Sequence, residues 1–581
     1  MAFIVRKKIG ERDYYYLNEN KRIEGKVKTK TLAYLGKTKK EAEKKAKEFL
    51  EKMEKKEFTD DGKQGSLRSP SFAKANEEVS HSHSKAMREK KEEIANLHTE
   101  ISVEDMAIFC KRRGFVYQSA DIYGGFAGFW DFGHLGAELK NNIKKEWWKF
   151  HVWERRDIKG IDGSIITHPL VWKASGHVDS FSDVFVVCKK CKKPEKIDRK
   201  DLGKVKCPKC GGEFDNENAK EFKLMFKTNV GEKDEAYLRP ETAQLIFTNF
   251  KSVYENARMK LPFGIAQVGK AFRNEIAPRD FLFRCREFEQ MEIEYFIIPN
   301  SSCNYEIPEV EILTYSAANQ EKDELPVKMK ITEALKKGII KKDWHAYWLA
   351  TEFSWFVNLG ANPNNFRIRQ HRKDELAHYS SDCWDLEYKF PFGWKELEGI
   401  ADRSDYDLSQ HQKFSKKDLT VFDENSKKKI LPHVICEPSL GVERAFLVFM
   451  FDSYFYDDKR ENIVLRLHPK IAPIKAAIFP IVKKEDFEKL CESIFDDLKS
   501  ELNVIYDESG SIGRRYARND EIGTPYCITV DEESLKNKDA TIRERDTKKQ
   551  IRVKISELKT TLKKLINEEI QFEKAGKLVK T

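Results

Sequence analysis

The sequence predicts an α+β protein: a mostly antiparallel sheet with flanking helices, followed by a C-terminal α/β domain and preceded by a small N-terminal β-plus-helix appendage. Three observations predict it. Between Gly114 and about Leu467, short β-like runs and helices are mixed without the regular rhythm of a doubly wound parallel sheet. After His468-Pro469 the pattern becomes strand (476–482), helix (485–501), strand (503–506), a charged loop and strand (526–530). The chain has 581 residues, too many for one ordinary domain.

At the N-terminus, Tyr14-Tyr15-Tyr16-Leu17 and Thr31-Leu32-Ala33-Tyr34-Leu35 flank turn residues and read as a two- or three-stranded unit ending near Gly36. A Lys/Glu/Ala-rich helix is expected over 38–56. Residues 60–84, rich in Gly, Ser, Asn and charge with Pro70, read as a linker. The expected division is an appendage at 1–60, a linker at 61–94, a main domain at 95–468 and a terminal domain with a basic extension at 469–581. Ser102 and Asp105 resemble a capping box ahead of Met106-Ala107-Ile108-Phe109, and Gly114 stops that helix. A long helix follows over 136–149, where Leu139, Ile143 and Trp147 share an apolar face, then a β-like run at 164–167 and Pro169.

Lys and Arg number 106 against 96 Asp and Glu, and the excess sits at the ends. Residues 1–40 carry 12 basic and 4 acidic groups, residues 541–581 carry 12 and 6. Both ends suit a polyanion, although Lys-rich termini also serve as solvated surface. No apolar run of about 18 residues is present, and Met1-Ala2-Phe3-Ile4-Val5 meets Arg6-Lys7-Lys8 at once, so a cytoplasmic chain with no membrane partner is expected. Val268-Gly269-Lys270 lacks the glycine spacing and hydroxyl of a phosphate loop.

Four of the eleven cysteines are grouped: Cys188-Lys189-Lys190-Cys191 and, after fifteen residues, Cys207-Pro208-Lys209-Cys210-Gly211-Gly212. Two CxxC knuckles supply four thiolates to a tetrahedral zinc ribbon, placed in an insertion at about 185–220. Four sulfur ligands leave no open position, so the role is structural. Redox-active CxxC pairs and unliganded thiols are the alternatives.

Phe272-Arg273-Asn274-Glu275, with Arg279 and Arg286-Glu287-Phe288-Glu289-Gln290, resembles motif 2 of the class II aminoacyl-tRNA synthetases. Pro438-Ser439-Leu440-Gly441-Val442-Glu443-Arg444 resembles their motif 3, and the 136–169 stretch resembles motif 1, the dimer-forming element. Within the class the chain is most similar to the glycyl-tRNA synthetases of the homodimeric archaeal and eukaryotic kind. The strings that carry this are Ile122-Tyr123-Gly124-Gly125, Ser175-Gly176-His177-Val178, Arg239-Pro240-Glu241-Thr242-Ala243-Gln244, Ala401-Asp402-Arg403 and Glu437-Pro438-Ser439. Gly513-Arg514-Arg515-Tyr516-Ala517-Arg518 and Glu521-Ile522-Gly523-Thr524-Pro525 resemble the anticodon-binding domain. The resemblance spans about 95–560 and leaves residues 1–60 unmatched, as a lineage-specific fusion or an RNA-binding addition.

The resemblance implies glycyl-adenylate formation from ATP and glycine with Mg2+, then transfer to tRNA(Gly) by a homodimer. It places Arg273 between the substrate carboxylate and the α-phosphate, and Arg444 on the γ-phosphate and one adenine face. Phe288 stacks on the other face, Glu275 accepts from the adenine amino group and Arg279 steadies the outer phosphates. Cations at these points suit the charge that grows as pyrophosphate leaves. Glu241, Glu437 and Ser439 match the glycine positions, where carboxylates hold the ammonium and close walls exclude an added methyl. Arg514, Arg515 and Arg518 beside Tyr516 are implied tRNA contacts, in a loop suited to phosphates and unpaired bases. Asp520 and Glu521 offer these arginines ion pairs instead.

The chain departs from the family at Trp130-Asp131-Phe132-Gly133-His134, where two tyrosines and a proline are common, and at Glu443, where glycine or aspartate is common. Two other functions stay open at this point: a non-catalytic synthetase-like nucleic-acid-binding subunit, and an adenylate-forming ligase acting on a free small molecule. Arg273, Glu275, Phe288 and Arg444 together argue against the first, and the anticodon-like domain against the second.

Overall fold

The computed structural model describes residues 100–579 except 198–201, 378 and 425, and the backbone of residues 2–9, 12–23 and 26–36. The chain divides into two units, residues 1–86 and 87–581. In the first, strands Ala2–Ile9, Arg12–Ile23 and Lys26–Gly36 form an antiparallel meander, with Ile4 opposite Leu17 and Leu17 opposite Ala33. The helix expected over 38–56 and the linker over 60–84 lie outside the described residues.

The second unit opens with helix Val103–Arg113. Ser102 accepts the Asp105 N–H at 3.0 Å and Gly114 ends the helix at φ +81°, a conformation in which Cβ is costly. The expected box is only half formed, because the Asp105 carboxylate takes the Ser102 hydroxyl. Helix His134–Trp148 begins two residues earlier than expected and continues into a π-turn, Lys149–Trp153, with Leu139, Ile143 and Trp147 buried.

The centre is a nine-stranded sheet in the order Val327–Lys330, Glu311–Tyr315, Phe366–Gln370, Asp382–Phe390, Gly393–Asp402, His433–Gly441, Glu287–Ile297, Phe263–Phe272, Ile158–Ile161. Neighbours run antiparallel except at two joints, Glu311–Tyr315 with Phe366–Gln370 and Phe263–Phe272 with Ile158–Ile161. Helices Asp343–Asn358 and Val442–Ser453 pack on this sheet. Both are apolar nearly all round and bury nearly all round, as a helix without a wet face must.

A three-stranded insertion, Ser182–Val187, Pro194–Ile197 and Lys220–Lys223, has its own small core including Cys188, Cys207 and Phe214. The terminal region has a second sheet, in the order Val504–Tyr506, Ala476–Pro480, Tyr526–Val530, Asp539–Glu544, Gln550–Lys554, Lys577–Leu578, with helix Glu485–Leu498 over a separate core. Its first three strands are parallel and the rest antiparallel. The segment expected as a charged loop is helix Ile512–Glu521. Its fully buried residues are Arg515, Asn519 and Asp520, all polar, with only Ile512 and Tyr516 packed on the apolar cluster beneath, so the segment reads as charged, and Gly513 reads as a breaker.

Candidate active site

The strands deliver the site by register. Phe288, Gln290, Glu292 and Glu294 alternate along Glu287–Ile297 and share one face, as do Glu437, Ser439 and Gly441 on the next strand. One row of directly opposed residues crosses five strands: Glu292, Ser439, Gly399, Asp385, Arg369. Above it lies a cavity of about 420 Å³ lined by Glu241, Arg273, Glu275, Phe288, Glu437, Ser439 and Arg444. Seven of the eight expected ATP and glycine residues therefore meet in one place. Arg279 does not line it; its side chain is 60% exposed and lies 3.7 Å from Asp280.

Arg273 follows strand Phe263–Phe272, its N–H donating to Arg286 O and its Nε to Pro240 O at 3.0 Å. Its guanidinium lies 5.3 Å from the Phe288 ring centre and within electrostatic reach of both Glu241 and Glu396. Arg444, in the first turn of helix Val442–Ser453, sits over the Phe283 ring and donates to Glu396 O at 2.8 Å. Glu275 Oε2 is buried and accepts no hydrogen bond among the described residues; Arg284 Nε is 4.0 Å away.

The other end of the cavity is acidic. Arg403, 1% exposed, donates from Nε and Nη2 to Asp407 and from Nη1 to Glu437 at 2.8 Å. Glu292 Oε1 accepts the Ser439 hydroxyl at 2.7 Å and its Oε2 accepts from Thr242. Gln290 Nε2 donates to Ser439 Oγ at 3.2 Å. Glu241 accepts from Gln244 at 3.1 Å and lies 3.2 Å from His177 Nε2, whose Nδ1 is 2.8 Å from Ser175 Oγ. Behind them, both Glu294 oxygens are buried without a hydrogen-bond partner among the described residues.

These acids differ in charge state. Burial pushes the Glu437 carboxyl up to about 8, against the pull of Arg403 and with the push of Glu292 and Glu241. Burial, then Glu241, raises Glu292, and burial, then Glu437, raises Glu294. Glu241 is driven up by the same burial, yet His177, Arg403 and Arg273 hold it well below the usual carboxylate range. The result is one fixed carboxylate, Glu241, beside three acids whose carboxyls are pushed up by burial and by one another.

Glu292 escapes the sequence reading, and Gln290, Arg403 and His177 stand in its family strings without a role in the site. The alternation Gln290-Met291-Glu292-Ile293-Glu294 contained the signal, since a strand with apolar residues on one face puts acids on the other. The family string Ser175-Gly176-His177 likewise acquires a reason: Ser175 holds the ring that holds Glu241.

The departures are packed into structure. Glu443 is buried, accepts Lys140 Nζ at 2.6 Å and the Glu289 N–H at 2.9 Å, and so ties three elements together: helix His134–Trp148, strand Glu287–Ile297 and helix Val442–Ser453. Phe132 stacks edge-on with Phe446 at 5.4 Å under the Lys140 ammonium, and Trp130 with Phe281 at 4.8 Å.

In the insertion, Cys188 Sγ and Cys210 Sγ are 3.5 Å apart and Cys191 Sγ and Cys207 Sγ 3.8 Å, with all four sulfurs within 4.8 Å of one another. Four thiolates about 2.3 Å from a central ion stand roughly that far apart. On helix Ile512–Glu521, Arg514 and Arg518 are exposed, Arg518 pairing with Asp507 at 2.6 Å. Arg515 is buried and donates to Gly510 O and Pro480 O, a clamp on the chain and not a surface cation. Asp520 and Glu521 pair with other arginines than expected: Asp520 with Arg460 and Arg543, Glu521 with Arg113.

Residues 226–454 match the class II core domain of the G, H, P, S and T tRNA synthetases, and residues 475–565 match an anticodon binding domain. Residues 4–64 match the N-terminal domain of IS1634 family transposases. A glycine–tRNA ligase of Borrelia hermsii is 45% identical over 468 residues, 79% of this chain and 96% of that protein. Those of Treponema denticola and Acetivibrio thermocellus are 42% and 44% identical, each over 97% of its length and 80% and 79% of this chain. Identity at this level over nearly the whole of each relative shows a common lineage, and the chain belongs to the glycine–tRNA ligase family.

Proposed function

We propose that the chain activates glycine with ATP to glycyl-adenylate, releasing pyrophosphate, and transfers the glycyl group to the 3′-terminal ribose of tRNA(Gly). One observation carries the reading: a single cavity joins the guanidinium groups of Arg273, Arg284 and Arg444 to carboxylates gathered around the Ser439 hydroxyl. A small zwitterion fits between them, its ammonium toward Glu241, Glu292 and Glu437 and its carboxylate toward Arg273.

The glycine carboxylate attacks the α-phosphorus and the bond to pyrophosphate breaks. Arg273 bridges the two reactants and Arg444 takes the outer phosphate, each supplying charge where the transition state gains it. The adenine ring lies against Phe288, and Glu275 Oε2, buried and unbonded, accepts its amino group. Mg2+ bound with ATP would neutralise phosphate charge, and the cavity carboxylates Glu396, beside Arg444, and Asp385 would suit it. The tRNA hydroxyl then attacks the glycyl carbonyl and AMP leaves. Arg279 is assigned to the outer phosphates through motion of its loop, and Arg514 and Arg518 to the anticodon arm.

The cysteine spacing fits a structural zinc that ties the insertion together. Exposed Ile122 (87%), Tyr123 (86%), Trp153 (64%) and Leu170 (52%) near the motif 1 helix favour a homodimer. No helix among the described residues is long and apolar enough to cross a membrane, in keeping with a cytoplasmic enzyme. The domain limits read from sequence, 1–60, 61–94, 95–468 and 469–581, are retained.

The test is amino-acid-dependent ATP–pyrophosphate exchange across all twenty amino acids. Exchange with glycine alone is expected, and Arg273→Ala lowers it by about 100- to 1,000-fold. No exchange from folded protein overturns the reading in favour of a nucleic-acid-binding subunit.

A further inference from the structure

Cys383 and Asp385 stand two residues apart on strand Asp382–Phe390, so the pleat presents both on one face. The adjacent strand ends with Gln370 opposite Trp384, and the next residue, His371, donates its N–H to Cys383 O at 2.9 Å. His371 Nε2 lies 2.7 Å from Asp385 Oδ2, and one donor atom each of His371, Cys383 and Asp385 falls within 4.8 Å of the others. All three line the cavity, beside Glu396. Neither adenylate formation nor glycine selection uses the imidazole or the thiol.

We propose that His371, Cys383 and Asp385 form a second metal site, separate from the four-cysteine ribbon, that takes a thiophilic divalent ion of the Zn2+ type. Mg2+ prefers a shell of oxygen ligands, so a thiolate and an imidazole beside one carboxylate select against it and for Zn2+ or Co2+. Three protein ligands with a fourth position facing a cavity is the arrangement in which zinc keeps an exchangeable ligand. On binding, the proton of the Cys383 thiol and the proton held between His371 and Asp385 are released to solvent, leaving a metal–sulfur, a metal–nitrogen and a metal–oxygen bond. No electron is transferred. The ion withdraws Asp385 from the side of the cavity assigned above to Mg·ATP, so its occupancy inhibits adenylation. This last consequence rests on the proposed function; the binding does not.

The test is a Co2+ titration of the full chain with its ribbon already filled by Zn2+, followed by near-ultraviolet and visible absorption. The expected result is one further equivalent with tetrahedral bands and a single-thiolate charge-transfer band. Cys383→Ser abolishes that band, and His371→Ala weakens the equivalent by at least about 100-fold, since even an outer partner of a ligand is worth about 10- to 100-fold. Ribbon zinc and melting temperature, measured in parallel, verify that the variants are folded. No further equivalent in the folded wild type, or the same band in folded Cys383→Ser, overturns the proposal. Zn2+ inhibition of pyrophosphate exchange, relieved in Cys383→Ser, is the expected kinetic counterpart. Co2+ binding in a protein with no exchange at all refutes the adenylation reading and leaves the metal site standing.

Discussion

Two buried charged regions of this protein are balanced in opposite ways. At the cavity floor, the Arg403 guanidinium faces Asp407 and Glu437, with Glu241, Glu292 and Glu294 gathered behind. Where hairpin Tyr454–Leu465 meets helix Ile512–Glu521, the charges close on themselves: Asp457 to Arg460 at 2.9 Å, Arg460 to Asp520 at 2.7 Å, Asp520 to Arg543 at 2.9 Å. A closed lattice is complete in the fold. A surplus of one sign is completed only by a ligand of the other, so the imbalance, more than the burial, identifies the binding site.

The largest expected break of this contrast is Asp520→Ala. It leaves Arg460 and Arg543 without their carboxylate and costs about 3–5 kcal/mol, read as a fall in melting temperature. A loss below about 1 kcal/mol refutes the closed-lattice account. Glu437→Gln is expected to do the reverse. Because Glu437 titrates at about 8, the amide resembles the form already present near neutrality, so the melting temperature holds or rises. The KM for glycine nevertheless increases by about ten- to a hundredfold, the worth of one hydrogen bond to a charged group.

The same raised group sets a pH dependence. In the unfolded chain Glu437 ionises near the ordinary glutamate value and in the empty folded protein near 8, so the unfolded state binds fewer protons between those limits. Stability of the glycine-free protein therefore falls as pH rises from about 4.5 to 8. An ammonium ion favours the carboxylate, so glycine binding releases a proton below pH 8. The KM for glycine should fall by up to about tenfold per pH unit from 6 to 8 and then level; a flat profile contradicts the charge assignment. The smallest effect is expected at the surface. Arg518→Ala removes an exposed pair, leaves pyrophosphate exchange and melting temperature unchanged, and raises the KM for tRNA by at most about fivefold. Were Arg518→Ala as destabilising as Asp520→Ala, the helix surface would belong to the lattice and not to the tRNA.

Much of the site was legible in the sequence because the arginines and acids fall in strings whose order survives folding. Arg273, Phe288, Ser439 and Arg444 stand on or directly after three β-strands and in one helix, and the motif strings name them without any element being read first. Helix Ile512–Glu521 was not legible. Its buried face is Arg515, Asn519 and Asp520, and burial of such residues depends on partners from Gly510, Arg460 and Arg543, which no local pattern names. Arg515 was misplaced for the same reason: a guanidinium written beside two exposed ones gives no sign of which points inward. Glu443 looked like a departure of unclear effect and is the buried partner of Lys140, 303 positions away.

The sequence by itself determined the chemistry available: the pairs of CxxC, the arginines of the two motifs, the glutamates near Arg239 and Pro438, and the alternation that makes sheets. Tertiary structure alone decided which charges are matched. That distribution depends on cross-strand register and on contacts between residues hundreds of positions apart, so a glutamate side chain is a matched partner of Lys140 at Glu443 and, at Glu437, one of several acids sharing Arg403. The physical reason is that a carboxyl group's charge is set by what surrounds it after burial, and burial is a property of the fold.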